Sequence, residues 1–223
     1  AIKESTSLIA LRVTGECGPN LQTFLNSIRE GSQNGTKLSC IIFNHSKLDS
    51  SYLEVIADNI QFSNVRSIGF NNAIQSEAMS SFYSSFLTTK VTDHLLSLNL
   101  DGTPDIDLEK IFPRLRNVAL LSLANCDLDL IKVFQLLTSS SCRGSMNHLQ
   151  MINLSNNIIK DNGDLEFPSS DSKLPSHLTG FVINGVSWGD QLKSFLEFIF
   201  THVKSNLKLS LCDSVSETEN WDE

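Results

Sequence analysis

The chain has 223 residues, 40% of them hydrophobic, and its 17 Lys and Arg against 25 Asp and Glu give a formal net charge of −8. That length can bury roughly 70% of the unfolded surface in a compact fold. The acidic balance excludes a general nucleic-acid binder, which needs clustered Lys and Arg to neutralise phosphates. No apolar run reaches the roughly 18 residues a membrane-spanning helix needs.

Taken in order, one frame recurs: apolar residues at positions one, four and six, a polar or small residue at nine, and often an apolar one at eleven. Leu8, Leu11 and Val13 open the series, followed by Leu38, Ile41, Phe43 and Leu48. Val65, Ile68 and Phe70 come third, Leu95, Leu98 and Leu100 fourth, and Val118, Leu121, Leu123, Cys126 and Leu128 fifth. The sixth copy, Leu149, Ile152, Leu154, Asn157 and Ile159, is the most complete. Leu178, Phe181, Ile183 and Val186 form the seventh, and Leu209 with Leu211 a remnant of an eighth. This is the L-x-x-L-x-L-x-x-N-x-L pattern of a leucine-rich repeat, and the starts lie 23 to 31 residues apart. The apolar pair at four and six alternates as one face of a short strand does.

Between the strands the period changes to that of a helix. Leu21, Phe24, Leu25 and Ile28 form an i, i+3, i+4, i+7 stripe after the first strand, and Leu53, Ile56, Ala57 and Ile60 repeat it after the second. Met79, Phe82, Phe86 and Leu87 follow the third strand, and Leu130, Val133, Phe134 and Leu137 the fifth. The strongest stripe, Leu192, Phe195, Leu196, Ile199 and Val203, has Asp190 placed to cap its first turn. Pro104 and Pro113 leave only a turn or so of helix around Leu108 to Phe112 after the fourth strand. After the sixth, residues 161–177 carry Pro168 and Pro175 and no stripe, so an irregular surface loop is expected.

These elements predict an α/β leucine-rich-repeat solenoid of about eight repeats over residues 1–213: a parallel sheet on the concave side and helices on the convex side. Residues 214–223 read as an acidic polar tail or the start of a further segment. The chain opens on Ala1 without Met or signal peptide, and both ends read as cuts in a larger protein. The ninth position holds Glu16, Ser46, Ala73, Thr103, Cys126, Asn157, Val186 and Ser214, so only Cys126 and Asn157 match the repeat, with Ser and Thr as partial substitutes. Either water and backbone satisfy the turn in the other units, or the register slips there.

Five cysteines, Cys17, Cys40, Cys126, Cys142 and Cys212, are scattered and form no C-x-x-C pair, which predicts reduced thiols and a cytoplasmic setting. Three N-x-S/T sequons at Asn34, Asn44 and Asn153 are what chance supplies in a chain this rich in Asn, Ser and Thr. His45, His94, His148, His177 and His202 have no metal-ligand spacing, and His94 and His148 each precede a strand as polar loop residues. With no G-x-S-x-G elbow, no protease cysteine signature and no phosphate-loop lysine near Gly15 and Gly18, no catalytic constellation, metal site or cofactor site is expected.

The candidate site is the concave face, set by positions five and seven. Position five holds Arg12, Ile42, Gly69, Asn99, Ser122, Asn153, Val182 and Ser210; position seven holds Thr14, Asn44, Asn71, Asp101, Ala124, Ser155, Asn184 and Cys212. From these, Arg12, Asn44, Asn71, Asn99, Asp101, Asn153, Ser155 and Asn184 are predicted to contact a protein partner. The stripe is polar, small and nearly uncharged, and lacks the aromatic anchors of tight interfaces, so the partner is expected to be held weakly or over a wide area. Asn71, Asn99 and Asn153 are expected to point into solvent, so that their truncation leaves stability almost unchanged.

The repeats, of a length that admits a full helix per unit, resemble the ribonuclease-inhibitor-like class of leucine-rich repeats across residues 7–212. That class includes ribonuclease inhibitors, GTPase-activating proteins for Ran, NOD-like receptors, tropomodulins and CARMIL-type actin regulators. The irregular frame, unpaired cysteines and degenerate ninth position look most like CARMIL-type repeats. The resemblance implies a non-catalytic interaction scaffold of a larger protein that controls actin and capping protein; a receptor's ligand-sensing domain and a Ran-type GTPase activator are the alternatives it leaves.

Overall fold

In the computed structural model, residues 4–5, 7–160, 166–169, 171–203 and 206–213 are described. Eight strands form one parallel sheet in sequence order: β1 (Ala10–Thr14), β2 (Cys40–Asn44), β3 (Ser67–Asn71), β4 (Ser97–Asn99), β5 (Leu120–Ser122), β6 (Met151–Asn153), β7 (Gly180–Val182) and β8 (Lys208–Ser210). The pairing aligns Leu11, Ile41, Ile68, Leu98, Leu121, Ile152, Phe181 and Leu209 in a single row. That row is position four in every unit, so the register never slips. The protein is a leucine-rich-repeat solenoid.

Positions four and six point into the core, where Ile41, Phe43, Ile68, Phe70, Leu98, Leu100, Leu121, Leu123, Ile152 and Leu154 are at most 2% exposed. In the terminal units the same positions, Leu11, Val13, Leu209 and Leu211, are half-buried, having a neighbouring unit on one side only.

Helices cover the inner face of the sheet. α1 (Leu21–Gln33) and α2 (Ser50–Ile60) bury the predicted stripes, except that Phe24 is only half-buried at the end of the stack. After β3 the chain winds as a 3₁₀ turn (Ser76–Ala78), one α turn, α3 (Met79–Ser81), and a π turn (Phe82–Phe86), then the short α4 (Thr89–Thr92). The Leu87 amide donates to the Phe82 carbonyl, and this wider turn lets Met79, Phe82, Phe86 and Leu87 all face the core. The prolines do confine the next helix to α5 (Leu108–Ile111), which runs into a 3₁₀ turn at Phe112–Arg114. α6 (Leu130–Thr138) is followed by α7 (Ser140–Ser145), which no stripe announced, and α8 (Gln191–His202) closes the seventh unit.

Two expectations about α8 are corrected. Asp190 makes no side-chain cap bond, because its own backbone is already helical (φ −74°, ψ −8°); the Gln191 amide instead donates to the Trp188 carbonyl. Asp49 and Asp129, on extended backbone, do cap α2 and α6 by accepting from the Tyr52 and Ile131 amides. The buried face of α8 is Phe195, Phe198 and Ile199, while Leu192 and Leu196 are half-buried. The ring of Phe198, missing from the predicted stripe, packs 5.5 Å from that of Phe134. Within the loop expected at 161–177, residues 166–169 and 171–177 contain no helix or strand; residues 161–165 and 170, like the tail at 214–223, lie outside the described residues.

Aromatic rings gather in two places. Phe43, Phe70, Phe82 and Phe86 stack and cross at 5.0 to 6.0 Å in units two and three. Phe134, Phe167, Phe181, Phe195, Phe198 and Trp188 form a second cluster in units five to seven, with Trp188 4.3 Å from Phe195.

Where each strand ends, position eight turns the chain. Gly15, His45, Asn72, Gly102, Asn125, Asn156, Gly185 and Asp213 all have positive φ, between 47° and 89°. Only Gly, Asn, Asp and His occupy it, the residues that tolerate left-handed backbone best. At Gly102 and Gly185 the need is steric as well: a Cβ there would lie 2.1 Å from Asn72 Oδ1 and 2.2 Å from Asn156 Oδ1.

Candidate protein-binding face

The ninth position, directly after that turn, carries the stack's buried polar joints. Asn157 is 3% exposed; its Oδ1 accepts from the Cys126 and Leu128 amides, and its Nδ2 donates to the Leu123 and Leu154 carbonyls. Cys126 donates through its thiol to the Leu100 carbonyl, Thr103 through its hydroxyl to Phe70, and Ser46 to Val13. Each of these four reaches the position-six carbonyl of the preceding unit. At Ser46, Thr103 and Cys126 a hydroxyl or thiol therefore replaces Asn as donor, Ala73 and Val186 supply no such group, and the unbroken position-four row excludes a slipped register. Burial pushes the Cys126 thiol up to about 11, which holds it as a protonated donor rather than a nucleophile.

On the face away from the helices, five of the eight predicted contact residues join one hydrogen-bonded ladder. Asn99 Nδ2 donates to Asp101 Oδ2 at 2.8 Å, and the Asp101 amide donates back to Asn99 Oδ1. Asp101 Oδ1 accepts from the Ser122 hydroxyl at 2.6 Å and from the Ala124 amide at 2.8 Å. Asn153 Nδ2 donates to Ser122 Oγ, and Asn153 Oδ1 accepts from both the amide and the hydroxyl of Ser155. The Asn184 amide donates to Ser155 Oγ, and Asn184 Oδ1 accepts from Ser210 Oγ and the Cys212 amide. A rule emerges: the position-seven side-chain oxygen of one unit takes the position-seven amide of the next, from Asp101 to Ala124, Ser155 to Asn184, and Asn184 to Cys212.

The expectation that Asn99 and Asn153 simply face solvent is thereby corrected. Both are half-buried: Asn99 bonds Asp101 of its own unit, and Asn153 bonds Ser155 of its own unit and Ser122 of the preceding one, because strands about 4.8 Å apart bring short polar side chains within reach of a neighbour. Ser155 is 8% exposed. Arg12, exposed on β1, and Asn44 and Asn71, half-buried at the ends of β2 and β3, lie on the same face outside the ladder. Asn71 Oδ1 is buried there with no hydrogen-bond partner. The face thus offers fixed amides, hydroxyls and one carboxylate.

Chemistry of other kinds finds less material. Among the described residues, no group of three His, Cys, Asp or Glu side chains is placed to hold a metal ion. No helix among them is long and apolar enough to cross a membrane. His94 and His148, far apart in sequence, line one groove where the chain enters the sheet.

No family model matches the chain, and no curated protein matches it. Among solved structures, the crystal structure of a TLR13–ssRNA13 complex aligns with a TM-score of 0.47 at 11% sequence identity, over 97% of this chain and 34% of that one. The present chain spans about a third of the chain it matches there. The strand order and the position-four row carry the fold assignment by themselves.

Proposed function

We propose that the chain is a non-catalytic protein-interaction scaffold whose open sheet face meets the partner. The carrying observation is the ladder from Asn99 to Cys212. Its polar groups are held by their neighbours before any partner arrives, so less side-chain freedom is lost on binding. Arg12, Thr14, Asn44 and Asn71 extend that surface to the first units.

Site-specific photo-crosslinking tests this. A benzophenone side chain at Thr14 or Asn44 should capture a partner protein from cell extract, and the same group at Phe200, 63% exposed on α8, should not. Capture from Phe200 alone would move the interface to the helices. The finer assignment, a cytoplasmic regulator of actin and capping protein, is supported by the resemblance of the irregular repeats. Pull-down of capping protein by the purified full-length protein tests it, and no enrichment over beads without bait would end it.

A further inference from the structure

The loops that lead into β3, β4, β5 and β6 meet in a groove of about 330 Å³ lined by Arg66, Asp93, His94, Leu96, Asn117 and His148. Its main chain is pinned: the Leu96 amide donates to the Arg66 carbonyl, and the Ala119 and Leu120 amides donate to the Leu96 carbonyl. Asn117 Nδ2 donates to the Asp93 carbonyl at 2.9 Å, tying two of the loops together. Against that fixed frame two large apolar side chains are left out in solvent, Leu96 at 54% and Leu120 at 46% exposure. They lie on adjacent strand starts, and Leu120 continues onto the open face at position three.

Charge gives the groove its selectivity. The chain carries a net −8 with its histidines neutral, yet residues 64–66, 93–96, 116–119 and 146–150 hold Arg66 and Arg116 against Asp93 alone. An acidic segment is therefore repelled by the molecule at large and accepted at this edge. The Arg66 guanidinium, on an exposed side chain whose Nη1 reaches the His94 carbonyl only at 3.5 Å, keeps most of its fork for a carboxylate.

We propose that this groove docks an acidic, apolar peptide segment of a protein partner, its carboxylate on Arg66 and its apolar side chain on Leu96 and Leu120. The proposal rests on the scaffold function and assigns it a second contact beside the open face.

The probe is a short synthetic peptide alternating Leu and Glu, titrated into the isotopically labelled protein and followed by amide chemical shifts. Shifts confined to Arg66, His94 to Leu96, Asn117 to Leu120 and Gln150 are expected. Arg66→Glu should weaken binding about tenfold or more, the loss of one charge-assisted hydrogen bond, and Leu96→Ser with Leu120→Ser should weaken it similarly. Lys132→Glu, exposed on α6 and outside both the groove and the open face, should leave it unchanged. Equal binding of a Leu–Lys peptide, equal binding of a Ser–Glu peptide, a preference for a single-stranded oligonucleotide, or shifts outside the groove would each overturn the proposal. Failure here with open-face crosslinks intact leaves the scaffold standing; failure of both removes the scaffold itself.

Discussion

Asn157→Ala removes the most heavily hydrogen-bonded buried side chain among the described residues. The native side chain makes four bonds of 3.1 Å or less to main chain, two accepted from Cys126 and Leu128 at 3.1 and 3.0 Å and two donated to Leu123 and Leu154 at 2.8 and 2.9 Å. At 3% exposure, truncation leaves two amides and two carbonyls without partners in the interior. At about 1 kcal/mol net for each bond the loss comes to about 4 kcal/mol, somewhat less where a water enters the space. Asn157→Cys should lose about 3 kcal/mol, one bond less, since a thiol at this position can still donate to the Leu123 carbonyl, as Cys126 does to Leu100. Urea unfolding followed by far-ultraviolet circular dichroism reads the change as a shifted midpoint at constant slope. A loss under about 1 kcal/mol for Asn157→Ala, or no difference between the Ala and Cys variants, would refute the view that the ninth-position side chains join the units.

Three further outcomes are expected. Gly102→Ala should destabilise by about 1–3 kcal/mol, from left-handed backbone (φ +69°) and the Asn72 side chain in its path, whereas Gly144→Ala in α7, with open space around it, should be neutral or stabilising in the same melt. Thiol titration near neutral pH should label exposed Cys212 first and buried Cys126 and Cys142 only on unfolding, when five groups react; equal native rates would contradict the packing. The Lys110 ammonium, 2.7 Å from Asp107, holds the Asp107 carboxyl below its ordinary value. A depressed acid stabilises the fold above its unfolded pKa and loses that contribution as pH falls through its folded one, so the stability difference between wild type and Asp107→Asn should shrink below about pH 4; a difference constant through acid counts against the pairing.

Most of the architecture could be read before any coordinates because positions four and six alternate in every unit, and Leu11 through Leu209 do form one row. The helical stripes were nearly as plain, down to the shortening imposed by Pro104 and Pro113. What stayed hidden depended on backbone angles or on neighbours in the stack. Attention to position nine obscured position eight, where the restriction to Gly, Asn, Asp and His was present all along as a signal of positive φ. Asp190 resembled Asp49 and Asp129 in spacing, but a cap needs extended backbone and Asp190 lacks it. The Asn, Ser and Asp residues of the open face look like solvation in one strand; the amides that Asp101, Ser155 and Asn184 bind come from the next one. His94 and His148 line one groove because β4, β5 and β6 stack side by side, which no local pattern encodes.

The second aromatic cluster has an optical consequence. Trp188 is 1% exposed and its indole lies 4.3 Å from Phe195, well inside the C-terminal units, while the cluster around Phe70 contains no tryptophan. The chain has two tryptophans, and Trp221→Phe would leave Trp188 as the sole indole, excited selectively at wavelengths too long for tyrosine. Its emission would then follow the loosening of units five to seven alone, whereas far-ultraviolet ellipticity averages over all helices. The interval between the two curves would measure how far cooperativity travels along the stack.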